Sequence, residues 1–160
     1  KMRKLIPLLL TILLLAACSS IDCPLNTSVS TRYKLAGNVK SLADTLTIST
    51  DISDGNDSVI INKDVKTDSF NLPISYQRAE DTFFFEIKGT SGATTIDTLS
   101  VAKENKPHFE SIDCNPSIFH TITGVKYTHN RIDSIVINNK NVTYDASTAH
   151  FLIYFKSTNN

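Results

Sequence analysis

Tryptophan is absent from this 160-residue chain, methionine occurs once, and glycine and proline occur five times each. Without Trp the chain lacks the ring best suited to stacking on sugars and cations. No glycine-rich phosphate loop, nucleophile elbow or zinc-protease helix motif is written in it, which removes the common nucleotide-dependent and hydrolytic classes. Acidic and basic residues balance at sixteen each, so there is no basic excess of the kind that neutralises nucleic-acid phosphates. No segment keeps a helical period over its length. What remains abundant is Ser, Thr, Asn and Asp, set among Ile, Leu, Val, Phe and Tyr.

The one long apolar run lies at the start. Lys1, Arg3 and Lys4 precede Leu5-Ile6-Pro7-Leu8-Leu9-Leu10-Thr11-Ile12-Leu13-Leu14, and Leu15-Ala16-Ala17-Cys18 closes the run. A charged beginning, a short apolar stretch and small residues before the break define a secretory signal. The run is shorter than the roughly 20 residues a spanning helix needs. With a cysteine placed behind the small residues, the segment resembles a bacterial lipoprotein leader. That resemblance implies residues 1–17 as a signal peptide, acylation of Cys18, residues 18–24 as a lipidated tether and residues 25–160 as one domain. Ser19 and Ser20 stand where an inner-membrane retention signal would place Asp, which points to the outer membrane; the periplasmic face and the cell surface both stay open.

Removing residues 1–17 takes away three basic residues and no acidic one, leaving sixteen acids against thirteen bases and a net charge near −3. A mature length of 143 residues suits one domain with a real core. Once lipid occupies Cys18, Cys23 and Cys114 form an even set in an oxidising compartment, so a Cys23–Cys114 disulfide is expected. Two free thiols or a metal site are the competing readings, and no His–Cys spacing supports the metal.

Short strands dominate the rest. Residues 45–50 alternate Leu46 and Ile48 against Thr47 and Ser49, and residues 82–88 set Phe83, Phe85 and Ile87 on one face, as half-buried strands do. Residues 58–62 carry Val59-Ile60-Ile61, apolar on both faces, which suits a sheet interior. Pro73 sends 69–74 to an edge. Gly89-Thr90-Ser91-Gly92 turns the chain into 94–102 as a hairpin. Strands are also expected at 28–35, 108–112, 122–128, 134–138 and 151–156, with one helical turn capped at Asn115-Pro116. About nine or ten such strands predict an all-β, immunoglobulin-like two-sheet sandwich, with a small closed barrel as the alternative.

Six times the chain writes Asp, Ser or Thr, then an apolar residue: at Asp44, Asp57, Asp68, Asp81, Asp97 and Asp133. Irregular spacing rules out a solenoid. The plain reading is a turn Asp leading into a strand, an outward hydroxyl and an inward apolar residue. The pattern also resembles the acceptor site of the general O-glycosylation system of Bacteroidetes, which implies Thr45, Ser58, Thr98 and Ser134 as candidate sugar carriers. Ser69 and Thr82 depart from it by having Phe third.

Candidate chemistry is thin. Asp51-Ile52-Ser53-Asp54-Gly55-Asn56-Asp57 offers calcium-type oxygens, but its glycine comes one place early and Asn62 stands where an EF-hand needs a bidentate Glu. His108, His120, His129 and His150 lack metal spacing, although His120 and His129 could meet across neighbouring strands. Glu80-Asp81 and Glu110 with Asp113 show no glycosidase geometry. Tyr33, Tyr76, Tyr127, Tyr144 and Tyr154 could furnish a stacking surface, with core or rim packing the simpler use.

Several segments together carry a wider resemblance: Asp22-Cys23-Pro24-Leu25-Asn26, Pro107-His108-Phe109-Glu110-Ser111 before Asp113-Cys114, Phe119-His120, Gly124-Val125-Lys126-Tyr127-Thr128-His129, and Ile132-Asp133-Ser134-Ile135. With these the chain resembles an uncharacterised family of small Bacteroidetes lipoproteins bearing a domain of unknown function. The resemblance brings no activity with it, only an outer-membrane barrel protein as a partner class. The expectation is therefore a membrane-anchored, noncatalytic structural or docking module of the envelope, with no cofactor, no metal and no nucleic-acid partner. A surface glycan- or ligand-binding lipoprotein is the alternative.

Overall fold

The computed structural model describes Cys23, residues 28–52 and residues 57–157, and among these no helix forms. Ten strands follow one another: β1 (Ser30–Ala36), β2 (Thr45–Asp51), β3 (Asp57–Asp64), β4 (Ser69–Pro73), β5 (Glu80–Lys88), β6 (Thr94–His108), β7 (Ser117–Tyr127), β8 (Ile132–Ile137), β9 (Asn141–Val142) and β10 (Phe151–Phe155). They build a four-stranded sheet, β4-β1-β10-β8, packed on a six-stranded sheet, β3-β2-β5-β6-β7-β9. The all-β two-sheet expectation holds, with one sheet curled into a half-barrel.

The core follows from period-2 alternation. Phe83, Phe85 and Ile87 of β5, Leu46 and Ile48 of β2, and Leu99 and Val101 of β6 all turn inward and are buried. Against them the smaller sheet sets an aromatic ladder. Tyr33 of β1 lies opposite Phe70 of β4 and Phe151 of β10 in register. Its ring stacks on both, with centroids 5.2 and 4.8 Å apart. Phe70 then meets Phe85 of the other sheet at 5.9 Å, so aromatic contact runs through the sandwich. The Tyr33 hydroxyl is not orphaned there, since Thr31 Oγ1 donates to it at 3.3 Å.

Several local expectations are overturned, each for a tertiary reason. Residues 58–62 are not interior: β3 is the outer strand of its sheet, and Val59 is 55% exposed. Residues 108–112 are not a separate strand, because β6 runs on through Pro107 to His108. β5 pairs with β6 only as far as Ala102, and the Lys103 amide still donates to the Ala79 carbonyl; from Glu104 onward β6 pairs with β7 alone among the described strands. A missing amide donor is tolerated there. No helical turn forms at Asn115-Pro116; the bend lies at Ile112 and Asp113. β7 begins earlier than expected, at Ser117, and its register with β6 shifts between Ala102 and Lys103. That leaves Thr123 as an extra residue, so the inward phase passes from Ile118, His120 and Ile122 to Val125 and Tyr127.

One glycine is required by contact as well as by backbone. Gly37 has φ +78°, and a Cβ there would lie 2.8 Å from the Tyr154 ring, so the turn after β1 and the ring on β10 fit only without a side chain.

Truncating the ladder's centre tests this account. Tyr33→Ala is expected to cost about 3–5 kcal/mol in denaturant unfolding, whereas Tyr33→Phe, which loses only a long hydroxyl bond, should cost about 1 kcal/mol. Equal losses for the two would place the stabilisation in the hydroxyl instead of the stacked rings.

Candidate functional site

Both ends of the sandwich are closed by carboxylates that the tripeptide pattern places on the apolar face. Asp81 shares the inward phase of Phe83, Phe85 and Ile87, and Asp97 that of Leu99, Val101 and Lys103; all are buried. The reading of Asp81 and Asp97 as turn residues at strand entry is therefore corrected. Asp81 and Asp97 lie within β5 and β6. Asp44, just before β2, is buried as well.

At one end Asp97 gathers four donors. Thr128 Oγ1 and the Asn130 amide reach Oδ1 at 2.7 Å each, and the Arg131 and Ile132 amides reach Oδ2 at 2.6 and 2.9 Å. Burial pushes the Asp97 pKa up, but the bonds from Thr128, Asn130, Ile132 and Arg131 together outweigh it and hold the value below the ordinary one. Arg131 adds a bond to Asp44 and donates to the Lys156 carbonyl at 2.6 Å. The turn so fixed carries the chain from β7 in one sheet to β8 in the other.

At the opposite end Lys103, with its side chain fully buried, meets Asp81 Oδ2 at 2.9 Å and the Arg78 carbonyl at 2.5 Å. Arg78 Nη2 stands 3.3 Å from Asp81 Oδ1 as an ion pair, without the geometry of a hydrogen bond. Asn105 Nδ2 donates to the Tyr76 and Arg78 carbonyls, 3.1 Å each. That fixes Asn105 Oδ1 as an acceptor facing His120 Nδ1 at 2.8 Å. His120 therefore carries its proton on Nδ1 and leaves Nε2 as an acceptor. Burial first, then the Lys103 charge, lowers the His120 pKa to about 4, with Asp81 opposing. At neutral pH this imidazole is a hydrogen-bonding wall group and a poor proton acceptor.

His120 lines a cleft of about 260 Å³ with Ser28, Val29, Ile74, Tyr76, Pro116 and Ile118. Beside the cleft the chain is stapled: Cys23 and Cys114 form the expected disulfide, with Cα atoms 5.5 Å apart and a sequence separation of 91. Closing a loop of that size contributes about 4–5 kcal/mol if chain entropy dominates. Nearby, His108 stacks on Phe119, a half-buried residue packed against the core, at 4.2 Å, and Tyr144 meets Phe119 edge-on at 5.0 Å. Tyr144 also bonds Ser117 through their hydroxyls.

Other candidate residues are dispersed. The expected signal peptide 1–17, Cys18 and all of the 18–24 tether except Cys23 lie outside the described residues, as do Ser53, Asp54, Gly55 and Asn56 of the calcium-like loop. Among the described residues no group of three or more His, Cys, Asp or Glu could hold a metal ion. His120 and His129 do not meet, since β7 separates them. Glu110 pairs with His108 at 3.0 Å and Asp81 with Lys103. The five tyrosines form no common surface: Tyr33 is core, Tyr154 packs on Gly37, Tyr127 meets His129, and Tyr76 and Tyr144 are exposed. Thr45, Thr98 and Ser134 are half-buried and Ser58 is exposed. The Lys103–Asp81 pair and the Asp97 cradle went unread in the sequence. Their signal was available, because each Asp keeps the two-residue phase of the apolar residues that follow it.

No curated protein and no solved structure matches this chain. The profile of a family of unknown function, DUF6452, matches residues 45–155. The chain belongs to DUF6452. The matched stretch begins with β2 and ends with β10, so it takes in Asp81, Asp97, Lys103, His120, Arg131 and Cys114. β1 and Cys23 precede it.

A pH series of unfolding separates the two ends. His120 and His150, both depressed by burial, stabilise fully above the ordinary value of 6.5 and lose that contribution as pH falls through their folded values. By about pH 5, His120→Gln should remove roughly 1–2 kcal/mol of this loss. Asp97 acts lower: its contribution is whole above the ordinary carboxylate value and fades as pH falls through its depressed one. Asp97→Asn should cost about 3 kcal/mol at neutral pH, since an amide NH₂ then faces amide donors. Profiles of wild type and H120Q that run parallel would refute the histidine assignment.

Proposed function

We propose that this DUF6452 protein is a noncatalytic, lipid-anchored docking module of the bacterial envelope, held at the outer membrane through Cys18 and engaging a partner protein, with an outer-membrane barrel as the partner class. The supporting observation is the β3 edge of the larger sheet, which no further strand covers among the described residues. β3 is bonded to β2 on one side only and presents Val59, 55% exposed. Its register with β2 shifts twice, and Lys63 takes a positive φ of 54°. Bulges and the charges of Asp57, Lys63 and Asp64 discourage pairing of this edge with a second copy. A partner strand matched to that irregular edge is admitted by main-chain bonding. The buried charges are spent on structure, as the Asp97 cradle and the Lys103–Asp81 pair show, which supports the noncatalytic reading.

The alternative, a surface glycan- or ligand-binding lipoprotein, draws on the cleft beside His120 and the exposed rings of Tyr76 and Tyr144. One experiment separates the two. A photo-crosslinking residue at Val59, with the same residue at Thr90 as a control, is introduced into the protein in native membranes. Docking predicts an adduct with a barrel protein from Val59 and none from Thr90. Absence of an adduct, together with polysaccharide binding that Tyr144→Ala weakens, would replace docking with the alternative.

We also propose Ser58 and Ser134 as the best placed of the four O-glycan candidates. Asp57 and Asp133 are exposed beside them, whereas Asp44 and Asp97, next to Thr45 and Thr98, are buried. Intact-mass measurement of the native exported protein is expected to show hexose-type increments that Ser58→Ala and Ser134→Ala remove. A single unmodified lipoprotein mass would reject the sugars at all four positions.

A further inference from the structure

The loop that receives the disulfide is unusual for what it leaves in water. Residues 109–116 join β6 to β7 and carry Phe109, 63% exposed, and Ile112, 96% exposed. Ile112 sits at the bend, two residues before Cys114, and large apolar side chains this open mark an interaction site more often than a resting surface. The loop holds no cationic patch. Glu110 is turned to His108 at 3.0 Å, Asp113 is acidic, and nearby Lys106 is drawn to Glu104 at 3.6 Å.

The staple decides what this loop can face. Five Cα–Cα steps lead from Cys18 to Cys23, a contour of at most about 18 Å. The disulfide adds a Cα–Cα step of 5.5 Å to Cys114. Cys114 therefore lies within about 24 Å of the Cys18 Cα in any conformation of the tether. The far hairpin is carried away by β6, whose fifteen residues extend over about 45–50 Å. An acyl chain on Cys18 thus brings one end of the sandwich, and not the other, to the bilayer.

We propose that residues 109–116 are the membrane-facing tip of the domain, with Phe109 and Ile112 seated in the interface of a zwitterionic lipid surface. The inference rests on acylation of Cys18 and adds a second, shallow point of attachment. Two weak attachments hold far better than one, and the pair fixes orientation as a single tether cannot. The β3 edge then stands on the flank of the sandwich, clear of the tip, where a membrane-embedded partner's rim could meet it. The lack of cationic side chains at the tip selects lipid with no net charge over anionic headgroups.

The absence of Trp from these 160 residues makes the test direct. Ile112→Trp, Phe109→Trp and, at the far hairpin, Thr90→Trp are each placed in the full, acylated protein and reconstituted into phosphatidylcholine vesicles. Flotation reports the anchor; Trp emission and its quenching by lipids brominated near the headgroup report the tip. The proposal expects flotation of all three, with blue-shifted and strongly quenched emission from positions 112 and 109 and water-like, unquenched emission from 90. Interfacial seating reaches roughly 5–10 Å into the boundary, so quenchers deep in the acyl region should act much less. Flotation with water-like emission at 112 and 109 overturns the tip and leaves the anchor standing. Failure to float overturns the anchor, and the tip with it.

Discussion

A carboxylate turned inward is the constraint on which this sandwich depends. Burying Asp97 costs solvation, and the cost is met only if the segment after β7 comes back to offer four donors. That segment is the passage from the larger sheet to the smaller. The same charge that would be a liability in an unassembled sheet thereby specifies where β8 begins and which way it leaves. Arg131 extends the arrangement to Asp44 and to the carbonyl of Lys156, so the ends of three separate stretches meet at one guanidinium. A hydrophobic core alone would tolerate several crossings between the sheets; a buried anion with fixed donor directions tolerates far fewer.

The opposite end uses the same device with a cation. Lys103 is the last inward residue of β6 that belongs to the interior, and it finds Asp81 across β5. Buried pairs of this kind contribute modestly to net stability, yet removing one partner is expensive. Around the pair lie Asn105 and His120, whose hydrogen bonds leave little chemistry to spare. This is why the stapled end behaves as a wall with a shallow cleft. The disulfide, the cleft, the aromatic trio of His108, Phe119 and Tyr144 and the exposed loop all gather there because β6 and β7 outrun β5, with the short β9 alongside β7.

The strands at 45–50, 82–88 and 94–102 were legible because Leu46, Ile48, Phe83, Phe85, Ile87, Leu99 and Val101 alternate with polar residues, and alternation is a local property. The pairing of Cys23 with Cys114 followed from the expectation that lipid takes Cys18, and the structure bears the pairing out. The misreadings share one cause. Val59-Ile60-Ile61 looks interior by hydropathy, but edge or centre is settled by which strands pair. Pro107 looks like a strand break until the loss of β5 on that side is known. The two-residue phase also carried Asp81 and Asp97 to the apolar face; the habit of reading Asp as a turn residue hid a signal that period alone contained.

By itself the sequence determined the class of the fold and the inward faces of the central strands and pointed to the disulfide partners, since each rests on neighbours in the chain or on parity. Tertiary structure alone decided the parallel pairing of β1 with β10, the extra residue at Thr123, the union of Lys103 with Asp81 and the gathering of Thr128, Asn130, Arg131 and Ile132 around Asp97. These join segments far apart in sequence, and their energies depend on burial and donor direction. Neither quantity exists for a residue until the sheets have closed around it.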